Sequence, residues 1–249
     1  MKITVLSLFP EIVDAFFQSS IMAKAVDKNI IEYSSVNIRD FALDKHRTCD
    51  DYPYGGGAGM VLKPEPLVGA LDSVQALGKR VVYPSPSGRL FNQEFAKNLA
   101  DEQELVFICG RYEGIDHRVI QRYVTDEISI GDYVVSSGEV ATLTIIDAVY
   151  RLVDGVINQE SLVEESHNDG LLEYPHFTRP EKVLGIGVPD VLLSGNHAAI
   201  NAWRRGQQLR KTKHVRPDLF AKKELTKEDA RLLAAAEEQG GSYGSHKGY

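Results

Sequence analysis

The regular alternation of apolar runs and amphipathic segments between residues 80 and 152 constrains the fold of this chain more than any other feature. Each of three apolar runs predicts a buried strand and is followed by a segment with the apolar spacing of a helix. The predicted strand and helix pairs are 80–83 with 92–100, 105–109 with 116–123, and 127–130 with 139–152. Strands that alternate with helices form a parallel sheet covered on both faces, so an α/β fold is predicted.

The N-terminal part extends the same pattern. We predict a strand over residues 2–9, a helix from Pro10 to Asp27, a second strand over 30–38 and a helix over 64–77. The intervening residues 39–60 are polar and aperiodic, and they end in Tyr54-Gly-Gly-Gly-Ala-Gly-Met60. A long aperiodic segment of this kind is typical of a functional or mobile loop.

The pattern changes near Gly155, where a polar and acidic stretch interrupts the alternation. Helical spacing returns at residues 196–211 and 227–238, and Thr226 with Asp229 resembles a capping box before the second of these helices. We therefore predict a sheet domain over residues 1–157, a linker over 158–172 and a small helical domain over 173–249.

Each of the three strands beyond residue 80 ends in a turn cluster. The clusters are Pro84-Ser-Pro-Ser-Gly88, Gly110-Arg-Tyr-Glu-Gly114 and Gly131-Asp-Tyr133. Because ligands of open α/β sheets bind outside the carboxyl ends of the strands, three clusters at three strand ends predict one shared site. A single glycine cluster is more often only a tight turn, and neither of the common phosphate-binding glycine motifs is present, so these clusters alone do not name the ligand.

Composition excludes several classes of protein. Two cysteines in 249 residues are no disulfide framework, and Cys109, which follows an apolar run, is predicted to be a buried free thiol. The N-terminus lacks the features of a signal peptide, and no apolar run approaches the roughly 20 residues of a membrane span. We therefore expect a cytoplasmic protein without membrane contact.

The net charge of −7 argues against nonspecific nucleic-acid binding over the whole surface. Basic residues nevertheless cluster over residues 203–223, where Asp218 is the only acid. They are Arg204, Arg205, Arg210, Lys211, Lys213, Arg216, Lys222 and Lys223. Such a stretch can dock an RNA backbone, although a solvated helix face has the same composition.

Seven segments resemble, in the same order, the sequences of knotted α/β methyltransferases that modify N1 of guanine beside the tRNA anticodon. They are Ser7-Leu-Phe-Pro10, Asn37-Ile-Arg-Asp40, Tyr54-Gly-Gly-Gly-Ala-Gly-Met60, Gly110-Arg-Tyr-Glu-Gly-Ile-Asp116, Ser129-Ile-Gly-Asp-Tyr-Val134, Pro175-His-Phe-Thr-Arg-Pro180 and Leu193-Ser-Gly-Asn-His197. These segments span nearly the whole chain, and the fourth and fifth are specific to this family.

The resemblance implies a deep trefoil knot in the parallel sheet, which is an exception to the rule that chains do not knot. It implies tRNA as partner and a homodimer with its active site at the subunit interface. It also implies that S-adenosylmethionine, the methyl donor, binds among the three clusters. The residues implied for the donor are Tyr83, Ser85, Pro86, Gly110, Tyr112, Glu113, Ser129, Ile130, Gly131, Asp132, Tyr133, Val134, Val135 and Gly138.

Acidic side chains in these clusters have two interpretations. A carboxylate such as Glu113 or Asp132 would favour the positively charged sulfonium of the donor. Alternatively, Glu113 forms an ion pair with Arg111 or Arg118 that stabilises its loop.

Methyl transfer to guanine N1 requires a proton acceptor, because this nitrogen carries a proton at neutral pH. The resemblance gives this role to the position of Glu165, where the family has aspartate, and Asp169 is the nearest alternative carboxylate. These acids could also be a solvated linker face. Arg151 matches an arginine that would hold guanine or favour its deprotonated form, although an arginine at a helix C-terminus also interacts favourably with the helix dipole.

Other details of the site follow from the same resemblance. Ser137 and Ala141 replace a glycine and a proline of the family, so the third cluster is expected to differ in detailed shape. The sequence Tyr52-Pro-Tyr54 and the glycine-rich loop after it resemble the segment that closes over the target base, with His46 and Asp50 nearby. The seven histidines lack metal-ligand spacing, and although magnesium aids the family's chemistry, we expect no dedicated metal site.

Two other interpretations stay open at this point. A knotted enzyme that methylates ribose 2′-hydroxyls would share the donor clusters but would need neither the linker acid nor the glycine-rich loop. A non-enzymatic RNA-binding module would bind RNA without methyl transfer.

Overall fold

A computed structural model describes residues 1–157, 166–167 and 169–239 of the chain. It divides into two compact units, Met1–Asn158 and Gln159–Tyr249. Within the described residues, none of the helices combines the length and the apolar character that crossing a bilayer requires.

The first unit contains a five-stranded sheet. Its strands are β1 (Lys2–Ser7), β2 (Glu32–Asn37), β5 (Arg80–Leu90), β6 (Glu104–Ile108) and β7 (Asp126–Ser129), while β3 (Asp50–Asp51) and β4 (Val61–Leu62) form a separate antiparallel pair. The helices are α1 (Pro10–Phe17), α2 (Ser20–Asp27), α3 (Pro64–Ser73), α4 (Gln93–Ala100), α5 (His117–Tyr123) and α6 (Gly138–Tyr150). The sheet order is β2-β1-β6-β5-β7 and all neighbouring strands are parallel, which confirms the predicted α/β class.

Apolar side chains cover both faces of this sheet, because successive residues of a strand point to opposite faces. In β1, Ile3 and Val5 belong to a core that includes Phe17 of α1. Leu6 belongs to a second core, which includes Leu67 of α3. The buried strands therefore hold their carboxyl ends, and the clusters that follow them, in fixed positions.

Several predicted elements of this unit differ from the structure, and the helix predicted over 64–77, for example, ends at Ser73. The helix predicted over residues 10–27 is interrupted between α1 and α2, where Ser20 has a φ of 54° and the Ser19 hydroxyl donates to the carbonyl of Ala15. The apolar spacing continues across this break, so periodicity could not show it. The strand predicted over 80–83 continues to Leu90, but its pairing with β7 is interrupted between Pro84 and Arg89.

The segment predicted as a long loop contains short ordered elements. A 3-10 turn covers Ile38–Phe41, and β3 and β4 pair Asp50 with Leu62 and Asp51 with Val61. Cys49 is buried beside this pair, and Cys109 is also buried and free, as predicted. Burial raises the pKa of the Cys109 thiol, so this side chain stays protonated.

The second unit is mainly helical in its described residues. Its elements are the hairpin strands β8 (Lys182–Val183) and β9 (Ile186–Gly187) and the helices α7 (Asp190–Leu193), α8 (His197–Val215), α9 (Pro217–Phe220) and α10 (Lys227–Gln239). Leu209 of α8 and Leu233 of α10 form a small core with Leu171. Gly206 allows α8 and α10 to approach, because a Cβ there would lie 2.9 Å from the carbonyl oxygen of Leu232.

The capping box predicted before α10 is confirmed. The Thr226 hydroxyl accepts from the backbone N–H of Asp229 at 3.0 Å, and an Asp229 carboxylate oxygen accepts from the N–H of Thr226 at 3.2 Å. Each side chain thus satisfies a backbone donor that the first turn of a helix leaves without a partner.

Candidate functional site

The three turn clusters meet in one cavity of about 400 Å3, which lies at the interrupted part of β5 and at the carboxyl ends of β6 and β7. Its lining is Tyr83, Pro84, Ser85, Pro86, Ser87, Gly110, Arg111, Tyr112, Glu113, Gly114, Ile128, Ser129, Ile130, Tyr133, Val134, Val135, Ser136, Gly138 and Ala141. We call this space the cluster cavity. All residues predicted to bind the donor belong to this lining except Gly131 and Asp132.

Two glycines bring the clusters together. Gly138 donates its N–H to the carbonyl oxygen of Gly110 at 3.1 Å, and a Cβ on Gly138 would overlap the backbone of Gly110. A Cβ on Gly110 would in turn lie 2.9 Å from the ring of Tyr83. Gly110 of the second cluster therefore touches Tyr83 on one side and Gly138 on the other, at points where only glycine fits.

The Tyr83 hydroxyl lies close to Gly110 and Gly114 of the second cluster, and the Ser129 hydroxyl bonds within the third. Burial, with a smaller contribution from Glu127, raises the pKa of Tyr83 to about 12, so its hydroxyl stays protonated at neutral pH. The Ser129 hydroxyl donates to the carbonyl of Gly131 at 3.0 Å and accepts its N–H at 3.2 Å. Gly131, with a φ of 149°, thus shapes the third cluster without facing the cavity. Asp132 is exposed beside it.

An ion pair that the sequence did not predict lies next to the cavity. Arg111, which lines the cavity, bonds through Nη2 to Oε2 of Glu139 at 3.0 Å, and the Glu139 side chain is fully buried. Arg118 pairs with Asp116 at 2.7 Å. Both arginines considered as partners of Glu113 therefore bind other acids. An acid at the start of an otherwise apolar helix was the available signal for Glu139.

The glycine-rich loop is joined directly to the second cluster. Glu113 donates its N–H to the carbonyl of Met60 at 3.0 Å, and Leu62 donates to the carbonyl of Gly114 at 3.0 Å. Gly59, with a φ of 91°, lies so close to Glu113 that a Cβ would be 2.5 Å from Oε1. A side chain at Gly59 would therefore displace the Glu113 carboxylate.

The predicted catalytic residues have separate surroundings. Arg151 lines a different recess of the first unit, of about 380 Å3, which shares no lining residue with the cluster cavity. Glu165 lies outside the described residues. Asp169, in the second unit, accepts hydrogen bonds from Arg205 at 2.9 Å and Lys223 at 2.7 Å. Burial alone would raise the pKa of Asp169, but these two cations hold it below its usual range.

Several residues of the basic stretch form ion pairs with described residues of the second unit. Arg205 pairs with Asp169 and Asp229, Lys213 with Glu237, Arg216 with Asp218, and Lys223 with Asp169. Three of these four acids lie outside residues 203–223, so the local composition overstated the positive charge. Among the described residues, no group of three or more His, Cys, Asp or Glu side chains is arranged to hold a metal ion.

Comparison with known proteins identifies the family. The family model described as tRNA (Guanine-1)-methyltransferase TrmD matches residues 1–222. The chain belongs to this family. The resemblance seen in the seven sequence segments is therefore confirmed.

Relatives in spirochetes resemble the chain over most of its length. A protein of Treponema denticola named tRNA (guanine-N(1)-)-methyltransferase is 60% identical over 243 residues, which cover 96% of this chain and 100% of the relative. Proteins of the same name in Borrelia duttonii and Treponema pallidum are 59% and 58% identical and cover 89% of this chain, with 93% and 88% of their own lengths matched.

Proposed function

We propose that this protein transfers the methyl group of S-adenosylmethionine to N1 of guanosine 37 in tRNA. The observation that carries the proposal is the meeting of three turn clusters in one cavity, in a chain that belongs to the tRNA (guanine-1)-methyltransferase family. The donor would supply a methyl group on a positively charged sulfur. The protein would bind both substrates, align them and accept the proton of guanine N1.

The cluster cavity fits the donor in size and chemistry. Its volume of about 400 Å3 lies within the range of small-molecule sites. Gly110 and Gly138 both line the cavity, and residues without a Cβ let the main chain of such a wall come close to the edge of a flat adenine. Exposed Glu113 stands at the cavity, where its carboxylate would favour a sulfonium.

Two contacts support a knotted sheet domain. A Cβ at Gly88 would overlap the backbone of β7 at Ile128, and a Cβ at Gly138 would overlap the backbone of Gly110. Backbone segments that are distant in sequence therefore lie in close contact at these two glycines. We propose that these close approaches belong to the deep trefoil knot, with residues 1–157 as the knotted donor-binding domain.

Exposed aromatic residues at the site support a homodimer. Tyr112 and Tyr133 line the cavity with exposures of 55% and 56%, and Tyr54 of the glycine-rich loop is completely exposed. Large apolar groups clustered at the surface often mark an interface. Arg151 and the cluster cavity lie in separate recesses of one protomer, so we propose that a second copy completes the active site.

The proton acceptor is proposed to be Glu165. Asp169, the alternative, is paired with Arg205 and Lys223, and its lowered pKa makes it a weak base. Arg151 would hold guanine and favour its deprotonated form. Replacing Glu165 with Gln should slow single-turnover methylation strongly, whereas Asp169→Asn should leave the rate near that of the wild type. The reverse result would exchange the two roles.

The second unit is proposed to bind tRNA. We assign the linker to residues 158–172 and the tRNA-binding domain to 173–249. The target guanine would be extruded into the active site, as in other enzymes that modify bases. A tRNA substrate would locate the enzyme in the cytoplasm, and magnesium would assist without a dedicated protein site.

The decisive assay uses purified full-length protein, methyl-labelled S-adenosylmethionine, and two tRNA transcripts that differ only at position 37. Label should enter the transcript with guanosine 37 and not its counterpart with adenosine. Digestion and mass spectrometry should then locate the methyl group on guanine N1. Label on a ribose 2′-hydroxyl, equal label on both transcripts, or RNA binding without label would contradict the proposal.

Light scattering under the same conditions should report a dimer, and an active monomer would exclude a shared site.

A further inference from the structure

We propose that Glu139 is a positioning residue for the methyl donor, because it fixes the second and third clusters to each other through Arg111. The inference rests on the proposed function of the cluster cavity. Glu139 is the second residue of α6 and is fully buried, yet it is not part of the cavity lining. It can therefore act on the donor only through its neighbours.

Three donors surround the Glu139 carboxylate. Ser7 donates its hydroxyl to Oε1 at 2.6 Å, and Ser137 donates its hydroxyl to Oε2 at 2.7 Å. Arg111 bonds to Oε2 at 3.0 Å. A buried carboxylate is stable only when it is paired and hydrogen-bonded, so these contacts hold the group in one orientation.

Arg111 transmits this orientation to the cavity. Arg111 belongs to the second cluster and lines the cavity, and its guanidinium lies 4.5 Å from the centre of the Phe9 ring. Nη1 also approaches the carbonyl oxygen of Ser136, in the segment that joins the third cluster to α6, at 3.5 Å. Arg111 therefore connects the second cluster to the segment that follows the third, and Glu139 holds its guanidinium.

The same contacts give a role to the Ser7-Leu-Phe-Pro10 segment, which the donor site itself does not use. Ser7 is buried and bonds Glu139, while Phe9 packs under the guanidinium of Arg111. Phe9 also donates its N–H to the Ser7 hydroxyl at 2.8 Å. The carboxyl end of β1 and the residues after it thus support the Arg111–Glu139 pair.

Loss of the Glu139 charge should separate donor binding from the chemical step. In Glu139→Gln, Arg111 loses its charged partner and the two clusters lose their fixed spacing. We expect the Kd for S-adenosylhomocysteine, measured by calorimetry on the full-length dimer, to rise about tenfold or more. The KM for the donor should rise with it, whereas kcat at saturating donor should change less than about threefold.

Asp126→Asn is the matched control. It breaks another partly buried pair, between Asp126 and Arg80 at 2.9 Å, at the opposite end of β7 from the cavity. This variant should lose thermal stability while its Kd for S-adenosylhomocysteine stays within about twofold of the wild type. A purely structural role of Glu139 would give the same pattern in Glu139→Gln, and that result would overturn the inference.

The same binding measurement distinguishes a failure of the proposed function from a failure of the inference about Glu139. If the wild type bound no S-adenosylhomocysteine, both the assignment of the donor site and the inference about Glu139 would be wrong. If the wild type and Glu139→Gln bound it equally well, only the inference would be wrong. Should Glu139→Gln not fold, Ser7→Ala removes one hydrogen bond to Oε1 and should raise the Kd about threefold. An unchanged Kd in Ser7→Ala would then overturn the inference.

Discussion

The cluster cavity and the charged helices of the second unit are stabilised in different ways. Around the cavity, backbones touch through glycines, and the Arg111–Glu139 pair leaves only 20% and 0% of its side chains exposed. In the second unit, Lys213–Glu237 joins α8 to α10 with exposures of 42% and 37%. The first arrangement should fail when a single atom is added, because close-packed backbones cannot yield. The second should tolerate substitution, because water replaces a lost partner.

The largest effect is expected at Gly138. Gly138→Ala places a Cβ on the backbone of Gly110, so the second and third clusters must separate. Overpacking of this kind costs about 1–3 kcal/mol or more, and here the displaced atoms form the cavity wall. We expect the affinity for S-adenosylhomocysteine to fall by roughly a hundredfold or more, which calorimetry would measure.

Gly187→Ala is the control for this experiment. Gly187 has no atom within 4 Å of the position of an added Cβ, and it lies in the second unit. This variant should bind S-adenosylhomocysteine as the wild type does. If Gly138→Ala also kept wild-type affinity, the cavity would be more adaptable than its glycine contacts indicate, and the contrast between the two regions would disappear.

A smaller effect is expected at Asp229, the most buried acid among the ion pairs of the second unit. Its side chain is 8% exposed, bonds Arg205 at 2.7 Å and caps α10. Asp229→Asn should lower the free energy of unfolding of this unit by about 1–3 kcal/mol. Trp203, the one tryptophan of the chain, reports on the unit by fluorescence during urea unfolding. Donor affinity should not change, and a parallel loss of it would mean that the units are energetically coupled.

The same carboxylate predicts a dependence on pH. The hydrogen bond from Arg205 lowers the pKa of Asp229 from 3.8 to about 2, despite an opposing effect of burial. A depressed folded-state pKa contributes stability that is present above about pH 4 and is lost as the pH falls towards 2. The difference in urea midpoint between wild type and Asp229→Asn should therefore be constant above pH 4 and shrink below it. A difference that persisted undiminished at pH 2 would show that Asp229 acts through shape and not through charge.

The two regions were also predictable to different degrees. Glycines and strand ends are local features, so the three clusters and their shared site could be predicted from the chain itself, whereas the family resemblance gave the individual lining residues Tyr83, Gly110 and Gly138. Glu139 was missed because its partners Ser7 and Arg111 come from distant strand ends. The break before Ser20 was missed because apolar spacing continues through it.

The net positive charge around the basic stretch of the second unit is smaller than its sequence indicates, for a similar reason. The acids that neutralise the basic stretch, such as Asp229 and Glu237, lie outside it in the sequence and meet it only after folding. The composition of residues 203–223 alone cannot reveal partners that lie elsewhere in the sequence. A glycine turn, in contrast, can be recognised from the residues of the turn itself.

The smallest effect is expected at Glu237, and it tests how the second unit divides its charge between stability and RNA binding. Glu237→Gln removes the exposed partner of Lys213, which should change stability by less than about 0.5 kcal/mol. Lys213 would then be available to a phosphate group. Binding of tRNA should strengthen slightly, and the slope of log Kd against log salt should steepen by up to about one. An unchanged slope would mean that Lys213 lies away from the bound RNA. A large loss in the free energy of unfolding would instead show that the exposed Lys213–Glu237 pair contributes substantially to the packing of α8 on α10. The contrast with the glycine contacts around the cavity would then disappear.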